Sequence, residues 1–353
     1  MKQLTNLSIS KTIALLVVTT TASVVAAAAA KQNTLARQSH RAMKGDSMPG
    51  VDRIINGAAT TGPVGYMVGL GGRPGYPTDV FRDPLCGGSL ITPQVVLTAG
   101  HCMFKDDAYH PVSEVYVNMY NHSDPRGVGL FTVEPDDIIV HPGFTYTINT
   151  PNEEVVDNDV ALIFLQIGVT GPNIKYAIIN EDDNIPMEGE SLYTTGWGDI
   201  STDFGVYPDL LQETTVDYMT NELCQAAYSK KPVYGEDSVT DGMLCAARDG
   251  TGHCIGDSGG PLVTAFPNGT ATDPVVQVGI ISWAEDSEGC ADPNYPDVYT
   301  RVSYYADWIK KTVCKRTGEL CPSYKSGKSK SSKKSKSSKK SAKNEGGRLR
   351  SLV

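Results

Sequence analysis

No two of the eight cysteines are spaced as Cys-x-x-Cys, which argues against zinc ribbons and thioredoxin-like redox motifs. No repeat of roughly 20–50 residues runs along the chain, so stacked-repeat architectures are excluded. Helical periodicity is scarce. One segment carries it, Tyr304 to Val313, with Tyr304, Trp308 and Ile309 on the predicted buried face. Ser303 is its expected cap, and Lys310 and Lys311 suit its C-terminal end. Long apolar runs are also missing. The run Ile13 to Val18 is too short for a ~20-residue membrane span, and threonines follow it at 19–21. Lys2 and Lys11 precede it and the small residues Ala22 to Ala30 follow. That order predicts a signal peptide over residues 1–30 and hence a secreted chain. A membrane anchor is the competing reading.

The net charge of −9 is unevenly spread. Residues 1–53 carry +5 and residues 325–353 carry +10, leaving −24 for the body between them. The polar stretch 31–53 lacks hydrophobic periodicity and reads as a linker or pro-segment. The tail from Tyr324 onward is lysine and serine with little to bury, so it is expected to be disordered. From Ile54 the texture changes to short runs rich in Val, Ile, Thr and Tyr, broken by Gly, Pro, Asn and Asp. Examples are GGSLITPQVVLTAG, DVALIFL, PVVQVGIISW and DVYTRV. Such runs read as strands, and their spacing as a sandwich or barrel. An even cysteine count in an exported chain implies disulfides.

Three segments carry candidate chemistry: LTAGHC with His101, DNDVALIFL with Asp159, and GDSGGP with Ser258. A serine hydroxyl is a weak nucleophile near neutral pH. It needs an adjacent base, and the base needs a group to fix its tautomer and stabilise its cation. The three residues supply those types, although spacing alone does not bring them together. Asp157 competes with Asp159, because two residues apart on a strand share a face.

The wording around these residues resembles the chymotrypsin-like serine proteases. CGGSLITPQVVLTAGHC, DNDVALIFL, TGWG, MLCA, CIGDSGGP, ISW and PDVYTRVS occur in that family's order over about residues 54–313. The resemblance implies an all-β fold of two packed six-stranded antiparallel barrels with a short C-terminal helix. The first barrel would span about 54–170 and the second about 171–313, with a Cys-clipped tail over 314–353. It implies His101, Asp159 and Ser258 as catalytic residues and the N–H groups of Gly256 and Ser258 as an oxyanion hole. It selects Asp159 over Asp157, because the acid stands immediately before VALIFL. Ser282 would support Asp159, and the segment Ser282, Trp283 and Ala284 would pair with an extended substrate. Cleavage after Arg53 by an activating protease would free the amino group of Ile54 to pair with Asp257. The sequence has IING there where IVGG is usual. Implied disulfides are Cys86–Cys102, Cys224–Cys245 and Cys254–Cys290. Cys314 and Cys321 fall outside the usual set. They close a short loop or join two chains, and their seven-residue separation favours the loop.

The specificity pocket departs from the trypsin pattern. Counting back from Cys254, the usual basal aspartate is Gly252, and His253 stands where a small residue is usual. On the opposite wall Asp297 replaces a glycine, an exchange that resembles the broad-specificity collagenolytic proteases of crustaceans. Ala284 replaces another wall glycine. Asp297 would then select Lys or Arg while large apolar residues are also accepted. Alternatively Asp297 pairs with His253, or is a turn acid facing solvent. His110, His122 and His141 read as surface or turn residues, and Asp106–Asp107 as a solvated loop. Asn121 and Asn268 begin N-glycosylation sequons. No cofactor or metal is implied. The expected partners are protein or peptide substrates, with polyanion contact through the tail, and the chain is expected to be a monomer. The rival function is a protease homologue with weak catalysis that serves as a binding or inhibitor protein.

Overall fold

The computed structural model describes residues 54–321, apart from 73–85, 106–107, 125, 151–152, 202–204, 232–233, 236, 265–274, 286–288 and 293. The expected signal, pro-segment and Lys/Ser tail lie outside the described residues, as do Arg53, Asp106–Asp107 and Asn268.

The apolar runs fold into two antiparallel sheets, as their alternation with turn residues requires. The first has seven strands, in spatial order Gly129–Thr132, Glu114–Val117, Met67–Gly71, Cys86–Thr92, Val95–Thr98, Ala161–Phe164 and Ile138–Val140. The second closes on itself. Gln212–Met219 pairs on one side with Ser191–Gly196 and on the other with Met243–Ala247. The circuit runs on through Pro261–Thr264, Val276–Trp283 and Asp297–Arg301. This is the double-barrel architecture the motifs implied; among the described residues the first sheet curls without a closing pair. Val95, Val96 and Leu97 are fully buried, consistent with a strand covered on both faces.

Each end of the described segment is built into the opposite half. Ala58–Ala59 pairs with Gln212 and Glu213 of the second sheet. The C-terminal helix Val302–Thr317 buries Val302, Tyr305, Ala306, Ile309 and Val313 in one cluster with Leu90, Val95, Leu97, Leu162 and Ile163 of the first. This corrects two expectations. Tyr304 is 57% exposed and Tyr305 takes the buried position, because the face is set by the spacing 302, 305, 306, 309, 313. Ser303 lies inside the helix instead of capping it; Arg301 is the N-cap and gives no side-chain cap. The helix ends at Gly318 in the left-handed conformation, with Lys315 and Arg316 in its last turn.

The four disulfides are Cys86–Cys102, Cys224–Cys245, Cys254–Cys290 and Cys314–Cys321. Cys314 and Cys321 therefore close the short loop and do not join chains. No described helix is long and apolar enough to cross a membrane.

The helix packing sets a contrast between neighbours. Ile309→Ala is expected to lower stability by about 2–5 kcal/mol, and Tyr304→Ala by no more than about 0.5 kcal/mol. Urea unfolding followed by tryptophan fluorescence reads both; similar losses would contradict the assigned face.

Candidate active site

Strand pairing brings the first two residues together. Ala161 pairs with Thr98 in antiparallel register, so the residues before Ala161 face those after Thr98. Asn158 takes a left-handed turn with φ 53°, a conformation Asn tolerates, and Asp159 emerges opposite His101. The Asp159 carboxylate accepts from His101 Nδ1 at 2.7 Å and from the His101 backbone N–H at 2.7 Å. Ser282 Oγ donates to the same carboxylate at 2.6 Å. Thr300 Oγ1 donates to the Asp159 carbonyl at 2.7 Å. Asp157 is held elsewhere, accepting from Thr240 Oγ1 at 3.1 Å.

Asp159 is 1% exposed. Burial alone would push its carboxyl up. The facing His101 and the donors from His101 and Ser282 outweigh that and hold it below the usual carboxylate range.

Ser258 comes to the same place through its backbone. Its carbonyl accepts from Gly87 N–H at 2.7 Å, and Cys102 Sγ lies 3.6 Å from that oxygen. The Cys86–Cys102 disulfide thus fastens the histidine turn beside the serine loop. The loop itself is two successive turns, Asp257 N–H to the Cys254 carbonyl at 3.0 Å and Gly260 N–H to the Asp257 carbonyl at 2.9 Å. Within the first of them Gly256 adopts φ 99°. A side chain there would be strained, and its Cβ would sit 3.1 Å from the Gly198 Cα.

Asp257 points inward and is 1% exposed. It accepts from Gly198 N–H at 2.8 Å and Cys254 N–H at 3.0 Å. Burial outweighs these two bonds, and its carboxyl is pushed up to about 6. Among the described residues no Lys or Arg pairs with it. Ile54 is fully buried, and Ile55 packs against Cys254 and Cys290. Asn56 Nδ2 donates to the Gly250 carbonyl at 2.5 Å. The predicted activation segment therefore lies against the loop that carries Asp257.

The pocket segments also meet. Asp297 is 4% exposed on the strand Asp297–Arg301, which overturns the solvent-facing reading. Its Oδ2 accepts from His253 N–H at 3.1 Å and lies 3.8 Å from His253 Nε2. Gly252 is required by this approach, since a Cβ there would lie 2.5 Å from Asp297 Oδ2. Burial pushes the Asp297 carboxyl up to about 7 and the His253 imidazole down to about 4. Ser282 and Trp283 end the adjacent strand, buried, and Ala284 follows at intermediate exposure.

The other histidines fit the turn reading. His122 lies in a turn but is buried at 5% exposure. His141 is half-buried; its ring meets Tyr305 and Trp308 edge-on and its Nδ1 accepts from Gly143 N–H. Two residues near the pocket escaped sequence reasoning. Tyr299 stacks edge-on against His253; the period-two alternation from Asp297 places it on the same face. Glu285 is buried beside Trp283 and binds Lys231 at 2.7 Å and Tyr234 Oη at 2.8 Å. Nothing local in the sequence signals that contact. The cluster Cys86, His101 and Cys102 has metal-like spacing, but both sulfurs are in a disulfide.

A double-barrel fold with a buried Asp–His pair beside a serine turn defines the class as serine protease. Comparison with known proteins gives the family. The Trypsin family profile matches residues 54–309. A mouse protein named Tryptase is 36% identical over 244 residues, covering 67% of this chain and 81% of its own. Trypsin-1 of Astacus astacus is 34% identical, with 65% and 88% covered. Trypsin of Xenopus laevis is 34% identical, with 74% and 91% covered. The chain belongs to the trypsin family of serine proteases.

The depressed carboxyl of Asp159 sets a pH dependence. Its stabilising effect is fully present above the unfolded value near ~3.9 and is lost as pH falls through the folded value. The stability difference between wild type and Asp159→Asn is expected to shrink as pH drops below about 4. Denaturant unfolding between pH 3 and 7 measures it; a constant difference would contradict the assignment.

Proposed function

We propose that the chain is a secreted serine endopeptidase made as a zymogen, cutting after Lys or Arg with relaxed selectivity that extends to large apolar residues. The observation that carries catalysis is the His101–Asp159 pair at 2.7 Å, fastened beside the Ser258 turn. Ser258 Oγ attacks the scissile carbonyl while His101 takes its proton. Asp159 holds the imidazole tautomer and stabilises its cation. The N–H groups of Gly256 and Ser258 receive the oxyanion, each such donor contributing about 10²–10³ in rate. His101 then protonates the leaving amine, and water releases the acyl group. The segment Ser282, Trp283 and Ala284 lies along the extended substrate.

Activation follows from Asp257. A buried carboxylate with only amide donors is costly to ionise. Cleavage after Arg53 supplies an ammonium on Ile54, which is buried and whose neighbour Ile55 packs against Cys254 of the same loop. Basic selectivity rests on Asp297, reinforced by the −24 charge of the body. The basic tail adds contact with polyanions, and Asn121 and Asn268 are the glycan acceptors.

Two measurements test this reading. After cleavage at Arg53, Ser258 should label stoichiometrically with a fluorophosphonate, and Arg53→Gln protein exposed to the same activating protease should label at least about 100-fold more slowly. Equal labelling of the two overturns the zymogen step; no labelling of either cleaved or uncleaved protein overturns catalysis and favours a binding protein. In a peptide-library profile, Asp297→Asn should lose most of the preference for Lys and Arg, and an unchanged profile would remove Asp297 from selectivity.

A further inference from the structure

The segments read as the pocket hold buried polar atoms outside hydrogen-bond geometry. His253 Nε2 and Tyr299 Oη are buried without a hydrogen-bond partner. Both flank Asp297, whose one hydrogen bond of ordinary geometry among the described residues is from the His253 backbone N–H. Buried polar atoms left unpaired cost about 1–3 kcal/mol each. Such a cluster is poised for a ligand that brings donors and positive charge. The end of a Lys or Arg side chain brings both.

His253 decides when that charge is welcome. Its Nε2 lies 3.8 Å from Asp297 Oδ2, and its ring meets the Tyr299 ring edge-on at 5.3 Å. The carboxylate beside it is 4% exposed, which disfavours its ionised form. We infer that His253 is a specificity-determining residue: by sealing Asp297 it makes the pocket neutral and apolar in acid and anionic in base, so that the choice between apolar and basic P1 residues follows pH. The inference rests on the reading of residues 252–253, 282–284 and 297 as the pocket of a protease.

The titratable groups facing the pair pull in different directions. From the same loop, the negative charge of Asp257 favours a charge on His253, and the charge of Asp297 pushes the Asp257 carboxyl up. Tyr299 on the same strand lies near enough to favour the ionised form, though out of hydrogen-bond geometry. Tyr228, from the helix Asn221–Tyr228, stays neutral and gives its hydroxyl to the Pro296 carbonyl at 2.7 Å. His101, from the catalytic turn, disfavours a charge on His253. The neighbouring strands present Ala246 and Trp283, which do not titrate here. The net result is a carboxyl titrating near 7 beside an imidazole that stays neutral down to about 4.

The ratio of kcat/KM for a P1-Arg substrate to that for a matched P1-Phe substrate isolates this effect, because titration of His101 cancels in the ratio. For the activated wild type the ratio should fall about tenfold per pH unit below a midpoint near neutrality. Asp297→Asn should give a low, flat ratio. His253→Ser, which admits water, should move the midpoint down by a unit or more, raising the ratio at pH 6 about tenfold. A flat wild-type ratio between pH 5.5 and 9, or an unmoved midpoint in His253→Ser, overturns the inference. Calorimetry with benzamidine needs no turnover and no variant. Its affinity should weaken about tenfold per unit below the same midpoint, with release of close to one proton on binding at pH 6. Affinity independent of pH overturns the inference even if the protein is a fully active protease. The expected linkage in a protein that fails to label with fluorophosphonate would uphold the pocket while the catalytic reading falls.

Discussion

The structure depends on the hydrogen bonds made by Asp159. Its carboxylate accepts from His101 of the first half and Ser282 of the second, and its carbonyl accepts from Thr300 of the second. One residue therefore joins the two sheets at the line where they meet and also fixes the imidazole. The carboxylate that orients the base also accepts the bond from Ser282 that ties one half to the other. Any shift between the halves would pull Asp159 away from one set of donors.

Three buried carboxylates follow one rule with different outcomes. Asp159, Asp257 and Asp297 are 1%, 1% and 4% exposed, so desolvation presses on all of them alike. Asp159 has donors from the His101 ring, the His101 backbone and Ser282. Asp257 has two backbone amides, and Asp297 has one backbone amide with the Tyr299 hydroxyl nearby. The carboxyls rank in the same order, held low, pushed to about 6 and pushed to about 7. The His101 charge and the added donors outweigh burial at Asp159, while burial wins at Asp257 and Asp297.

Much of this was legible in the sequence because the strands are short, alternating and bounded by turn residues. The runs containing Val95–Thr98, Ala161–Phe164 and Val276–Trp283 announce themselves in that way. His101, Asp159 and Ser258 were singled out through the fixed wording around each of them. What was not legible depended on side chains meeting from distant segments. Which face of the C-terminal helix is buried was set by the first sheet's core, so Tyr304 and Tyr305 were exchanged in the reading. The burial of His122 and the Glu285–Lys231 contact have no local pattern. Asp297 was found by its place in PDVYTRV, but its approach to His253 within 3.8 Å required the packed loop.

The crossing of the chain ends has a consequence for biosynthesis. The first sheet's core is completed by Val302, Tyr305, Ile309 and Val313, the last core residues to be translated. The second sheet holds Ala58–Ala59 from the beginning of the described chain. The first half, although made first, cannot complete its core until the C-terminal helix has been translated.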